Sequence, residues 1–195
     1  MTEPNTTLSP VSRVLRAGTL ALFGLRGWKA VGTAPDVPRA VILAVPHTSN
    51  WDFVYYLGLV TELGVRARFM AKDSLFRPPL GRFMREVGGV PVERSASRNM
   101  VDQMVAEFAA RDRFLLTVAP EGTRSDVARW KTGFYQIAMG AGVPIVPGFV
   151  DYERKVGGFG APVMPTGDFV EDMKPIRAFY ARVVPHHPIA LGDQA

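Results

Sequence analysis

Short apolar runs rich in β-branched residues alternate along this chain with stretches of helical spacing, and that alternation limits the fold more than any other feature. Ala40–Pro46 (AVILAVP), Arg66–Ala71 (RARFMA), Phe114–Ala119 (FLLTVA) and Val143–Val150 read as strands, the last interrupted by prolines. Between and beyond them, Trp51–Leu63, Pro78–Val87, Asn99–Arg111, Phe134–Ala141 and Phe169–Arg182 read as helices. The stripe Met100, Val101, Met104, Val105 and Phe108 makes the third of these the clearest. A brief strand at Val90–Val92 follows Gly88-Gly89, and VGGFG (156–160) reads as a Gly-rich connection. Strands alternating with helices predict an α/β fold, a single domain with a mostly parallel central sheet flanked by helices. The 195 residues suit one domain, and no repeat or composition break divides them. Loops leaving the strand ends are where such a sheet carries its site.

Ahead of the first strand, residues 1–9 form a polar leader and Pro10–Leu25 has helical spacing. Val11, Val14, Leu15, Leu22 and Leu25 lie on one stripe with Gly18, flanked by Arg13, Arg16, Arg26 and Lys29 and followed by Trp28. An apolar helix with basic flanks and a nearby Trp suits a membrane interface. An ordinary helix docked on the domain would read the same way. Arg26, Trp28 and Lys29 stand where a signal peptide needs small residues. No run of about 18 uncharged apolar residues occurs, so the expectation is a peripheral rather than a spanning protein. The expected division is an amphipathic segment at 1–27 and one domain at 28–195.

Composition removes several kinds of chemistry. Without cysteine there is no disulfide scaffold, thiolate zinc site, iron–sulfur cluster or Cys nucleophile. Only His47, His186 and His187 can supply an imidazole, and the adjacent pair sits among prolines near the C-terminus. From Arg66 to Arg98 eight bases face three acids, while 15 bases and 15 acids lie outside. The net charge of +5 therefore belongs to one segment, as a local anion-binding surface would require. No recognition module or aromatic–basic interleaving accompanies that charge, so nucleic acid is not an expected partner. Gly157, Gly158 and Gly160 do not complete GxGxxG, and there is no P-loop or GxSxG elbow.

His47 follows a buried strand, with Asp52 five residues on at the start of a helix. On one continuous helix that spacing would splay the side chains by roughly 140°. With His47 in a turn and Asp52 in the first helical turn, the carboxylate can meet one imidazole nitrogen and leave the other as a general base. Ser49 or Asn50 can cap that helix. No serine completes a triad, so such a base would activate a substrate hydroxyl. The loop Pro120–Ser125 follows another buried strand and can hold an anion beside it. Gly122 admits close backbone approach, Thr123 brings a hydroxyl, Arg124 a guanidinium fork, and Lys131 lies seven residues further on.

Together these segments resemble the glycerolipid acyltransferase family, which includes the bacterial 1-acylglycerol-3-phosphate acyltransferases. Four blocks match in the family's order: the HxxxxD block His47–Asp52, the glycine-to-arginine block Gly89–Arg94, the EGTRS block Glu121–Ser125 followed by Lys131 and Gly133, and the VPIVP block Val143–Pro147. The resemblance implies that His47 deprotonates an acceptor hydroxyl, which attacks the thioester of acyl-CoA or acyl carrier protein, with Asp52 assisting. It places Arg94, Glu121, Gly122, Thr123, Arg124 and Lys131 in the acceptor site. It implies a co-substrate but no bound cofactor and no metal, with a lysolipid as acceptor. It also implies an anionic membrane surface as partner, on the cytoplasmic face of the cell membrane. Two positions depart from the common pattern: Pro46 where asparagine is frequent, and Pro91 where an aromatic is common. They leave the acceptor open among lysophosphatidic acid, another lysophospholipid, a glycolipid and an aminolipid. A noncatalytic lipid-binding protein and a thioester hydrolase are the competing readings.

Overall fold

The computed structural model describes residues 9–49, 51–92, 97–122 and 130–186. Among them a seven-stranded sheet runs in the order β1-β7-β6-β2-β5-β3-β4. These strands are β1 (Lys29–Val31), β2 (Arg39–Val45), β3 (Ala67–Lys72), β4 (Gly89–Val92), β5 (Phe114–Val118), β6 (Ile145–Asp151) and β7 (Val156–Phe159). Every pairing is parallel except β6 with β7. The expected α/β architecture is therefore present.

Six α-helices accompany the sheet among the described residues: α1 (Pro10–Leu25), α2 (Trp51–Glu62), α3 (Gly81–Glu86), α4 (Ser97–Ala109), α5 (Gly133–Ala141) and α6 (Phe169–Val183). The alternation of β2 decides which face each helix covers. Val41, Leu43 and Val45 point into a large core with Met104 of α4, Ile137 of α5 and Ile176 of α6. Ala40 and Ile42 point the other way, to a smaller core with Val60 of α2. Both faces of the sheet are thus covered, which is why β2 and β5 read as continuous apolar runs rather than alternating ones.

Three expectations need correction. VGGFG is a strand, β7, rather than a connection. Its glycines allow close approach: a Cβ on Gly158 would lie 2.4 Å from the Val31 carbonyl oxygen, and one on Gly157 would lie 2.9 Å from that of Phe149. Strand β1 carries no apolar run and was not foreseen. The helix expected at Pro78–Val87 begins only at Gly81, and a 3-10 turn (Asp73–Phe76) precedes it. A proline turns the residue before it away from the helical region, so Arg77, which is extended, and Pro78 both stay outside the helix. Strand β6, by contrast, runs unbroken through Pro147. The Pro147 carbonyl accepts from the Gly160 N–H at 2.7 Å, so its missing N–H faces the same edge, beyond the end of β7, and removes no bond to β2.

Helix α1 docks on α2 by an unexpected face. Ser12 and Phe23 are buried, and Arg16 donates to the Thr61 hydroxyl at 3.1 Å. Ser9 caps the helix and bonds Glu86 of α3 through both its N–H (3.0 Å) and its hydroxyl (2.9 Å). Phe23 lies on Gly58, where a Cβ would come within 2.3 Å of its ring. The docked side is turned roughly 130° from the apolar stripe. Val11, Val14, Leu15 and Leu25 consequently face outward, with Val14 71% and Leu25 86% exposed. No described helix is long and apolar enough to cross a membrane.

Candidate active site

The parallel strands β2, β5 and β6 end on one edge of the sheet, and the side chains with chemical capacity collect in the loops that leave it. Strand β2 runs through the cis Val45–Pro46 peptide into His47. The chain then turns back so that the first turn of α2 presents Asp52, which is buried, to the histidine. His47 Nδ1 lies 3.3 Å from Asp52 Oδ2. The five-residue spacing works as the sequence implied, one residue in the turn and the other in the helix. His47 is 30% exposed, so its Nε2 side can meet a substrate while Nδ1 faces the carboxylate.

Asp52 also builds the turn. Its Oδ2 accepts the N–H groups of Thr48 (2.7 Å) and Ser49 (2.8 Å), and its Oδ1 accepts from the Ser49 hydroxyl at 3.2 Å. Ser49 in turn accepts the Trp51 N–H at 3.1 Å, so it caps the helix as expected. Asn50 lies outside the described residues. Burial pushes the Asp52 carboxyl up, but hydrogen bonds from His47, Tyr152, Ser49 and Thr48 outweigh it and hold the group below its ordinary value. Asp52 is therefore a carboxylate at neutral pH, which suits the partner of a histidine that must take up a proton.

Glu121 comes from the loop after β5. It is buried, and its Oε2 accepts the His47 backbone N–H at 2.9 Å. Among the residues expected to bind acceptor, Glu121 thus holds the histidine turn to the second loop. Gly122 has φ +66°, which favours glycine, and the Lys131 side chain crosses it so closely that a Cβ would sit 2.8 Å from Lys131 Cδ. The Lys131 N–H bonds the Pro120 carbonyl at 2.8 Å. Gly122 and Lys131 therefore pin together the two ends of the loop bearing Thr123 and Arg124. Those two residues and Arg94 lie outside the described residues. His186 stands 3.6 Å from Glu153 at the surface, and His187 lies outside the described residues.

One residue of the cluster was not foreseen. Tyr152, in the turn between β6 and β7, donates its hydroxyl to Asp52 Oδ1 from 100 positions along the chain. A tyrosine after an apolar strand carries no local signal of that contact. Only the sheet order, which puts β6 beside β2, brings it there.

Residues 31–151 match the family model described as Acyltransferase. The chain is 30% identical over 137 residues to the 1-acyl-sn-glycerol-3-phosphate acyltransferase of Escherichia coli K12, covering 67% of this chain and 55% of that protein. It is 32% identical over 143 residues to a probable 1-acyl-sn-glycerol-3-phosphate acyltransferase of Mycoplasma pneumoniae, covering 69% and 53%. The chain thus spans about half the length of these curated relatives. In fold it is similar to the crystal structure of the 1-acyl-sn-glycerophosphate acyltransferase PlsC from Thermotoga maritima, with a TM-score of 0.60 at 21% identity over 95% of this chain and 82% of that one. The match to the family model takes in His47, Asp52, the loop at Glu121 and strand β6, and on that ground the chain belongs to the acyltransferase family.

Proposed function

We propose that the protein transfers a fatty acyl group from acyl-CoA or acyl carrier protein to the hydroxyl of a lysophospholipid, 1-acylglycerol-3-phosphate in the first instance. The observation that carries this reading is the His47–Asp52 pair, 3.3 Å apart and tied through Glu121 to the loop that ends at Lys131. His47 Nε2 takes the proton of the acceptor hydroxyl as its oxygen attacks the thioester carbonyl carbon. The resulting imidazolium is stabilised by Asp52 through Nδ1–H. When the tetrahedral intermediate collapses, the C–S bond breaks and the thiolate recovers the proton from His47. Ester and free thiol leave, with no net proton change. Arg94, Gly122, Thr123, Arg124 and Lys131 are assigned to the acceptor's phosphate, because a dianion needs such donors at short range. The thioester is a co-substrate, and the chemistry asks for no metal.

The reaction belongs at an anionic membrane surface, on the cytoplasmic face where thioester donors are made. Support comes from α1, whose outward Val11, Val14, Leu15 and Leu25 are exposed among the described residues. Inserting four such side chains into an interface contributes on the order of 5 kcal/mol, enough for reversible attachment. Thiol release with acyl-CoA and with acyl carrier protein, each against a panel of lysophospholipids, glycolipids and aminolipids, tests the reading. Release that rises with lysophosphatidate and yields phosphatidate supports it. Release indifferent to every acceptor would indicate a hydrolase, and acceptor binding without release a noncatalytic protein.

A further inference from the structure

We propose that Tyr152 is a positioning residue of the catalytic pair, fixing the plane of the Asp52 carboxylate from the side that the backbone cannot reach. The inference rests on the acyltransfer reading above for its kinetic consequences. Asp52 Oδ2 is held by two N–H groups and by His47, all from the same turn. Among the described residues of that turn Oδ1 has only the Ser49 hydroxyl, at 3.2 Å, and Ser49 is shared with the Trp51 N–H. The Tyr152 hydroxyl supplies the second bond to Oδ1, so that both oxygens are fixed and Oδ2 stays directed at Nδ1.

Burial alone would not aim this phenol. Tyr152 is 38% exposed, and its hydroxyl could as well face water. Its ring is instead clamped edge-on by Trp28 at 5.3 Å and by Tyr55 at 5.6 Å, two buried rings stacked on each other at 4.0 Å. Phe23 of α1 lies 6.2 Å beyond Trp28, so the clamp reaches from the docked N-terminal helix to the carboxylate. The turn that bears Tyr152 is equally fixed. Asp151 Oδ1 accepts the N–H groups of Glu153 and Arg154, both at 2.9 Å, and Oδ2 accepts from Arg154 Nε at 2.5 Å. Burial and the neighbouring Asp52 raise the phenol above its ordinary range, so it remains a donor at any working pH.

Among the described residues, the ionisable groups facing the pair are Tyr152 itself and Glu121 on the His47 N–H; further out, Arg154 holds Asp151 and His186 stands beside Glu153. Removing only the phenol oxygen leaves all of these in place. Without it Oδ1 loses the bond that comes from outside the turn, and the carboxylate is less firmly directed at Nδ1.

Tyr152→Phe is the test, read by kinetics and by the NMR signals of the His47 ring at a single pH, which three histidines make assignable. We expect kcat about tenfold lower, KM for donor and acceptor within about twofold, and the ring signals of His47 displaced from their native positions. Trp28→Leu should lower kcat in the native background and cause no further loss beside Tyr152→Phe, because it acts through the same ring. A Tyr152→Phe protein that melts as the native one does, turns over at the native rate and leaves His47 unshifted overturns the proposal. So does a rise in KM with kcat retained, which would make Tyr152 a substrate contact. If the native protein releases no thiol with any acceptor, the acyltransfer reading fails, and the His47 ring signals still decide the role of Tyr152.

Discussion

At the scale of single residues, the chemistry was readable where it is local. The interval from His47 to Asp52 is short enough for the residue types to imply a turn followed by a helix, and the two side chains do meet at 3.3 Å. Glu121 stands out in the sequence as a candidate, but its contact with the His47 N–H depends on β5 lying beside β2. Tyr152 was illegible because tertiary structure alone brings it to Asp52. Two substitutions probe this scale. Asp52→Asn keeps the size of the side chain but removes the charge that stabilises the imidazolium, and kcat should fall by about 10²–10⁴ in steady-state assays. Gly122→Ala places a methyl group against Lys131 at a positive φ, so KM for the acceptor should rise several-fold, with the melting temperature lowered by only a few degrees.

At the scale of elements, β-branched runs identified the interior strands, because a strand buried on both faces needs apolar side chains throughout. β7 escaped for the opposite reason: its glycines are demanded by the backbones of Val31 and Phe149, and a strand that packs by lacking side chains has no hydrophobic signature. The stripe on α1 was legible as a stripe, yet the helix docks by Ser12, Arg16 and Phe23 and leaves the stripe outside. Two variants of this contact should behave oppositely. Gly58→Ala forces Phe23 away and should cost about 1–3 kcal/mol, a loss of about 3–9 °C in melting temperature. Val14→Glu alters a side chain that touches no core, so the melting temperature should hold within about a degree. Its deficit should appear instead in co-sedimentation with anionic vesicles, which the native protein should show and the variant should lose.

At the scale of the whole molecule, titration sets the range over which the fold survives. Asp52, Asp151 and Asp172 are all held below the ordinary carboxyl value, against the opposing effect of burial, by the hydrogen bonds they accept. Glu86, bonded by Ser12, Arg82 and Ser9, is brought down to about 2. In each case the unfolded chain binds the proton more readily, so the stabilisation is complete above the ordinary carboxyl value and lost as pH falls through the folded one. Tyr56 and Tyr135 are pushed up to about 12, chiefly by burial, and there the unfolded chain loses the proton first. Their contribution is complete below pH about 10 and lost as pH rises toward 12. Urea midpoints should therefore be level from about pH 5 to about pH 9 and fall on both sides. A midpoint that declines steadily across neutrality would contradict these assignments.

All three scales meet at one imidazole: the strand that delivers His47, the helix that presents Asp52 and the loop that holds the turn converge on the base of the proposed reaction. The steady-state rate of thiol release by His47→Ala, at saturating acyl donor and lysophosphatidate and set beside the native rate, tests that convergence most directly. The account predicts a fall of about 10²–10⁴ with an unchanged melting curve, and turnover within a few-fold of native would contradict it.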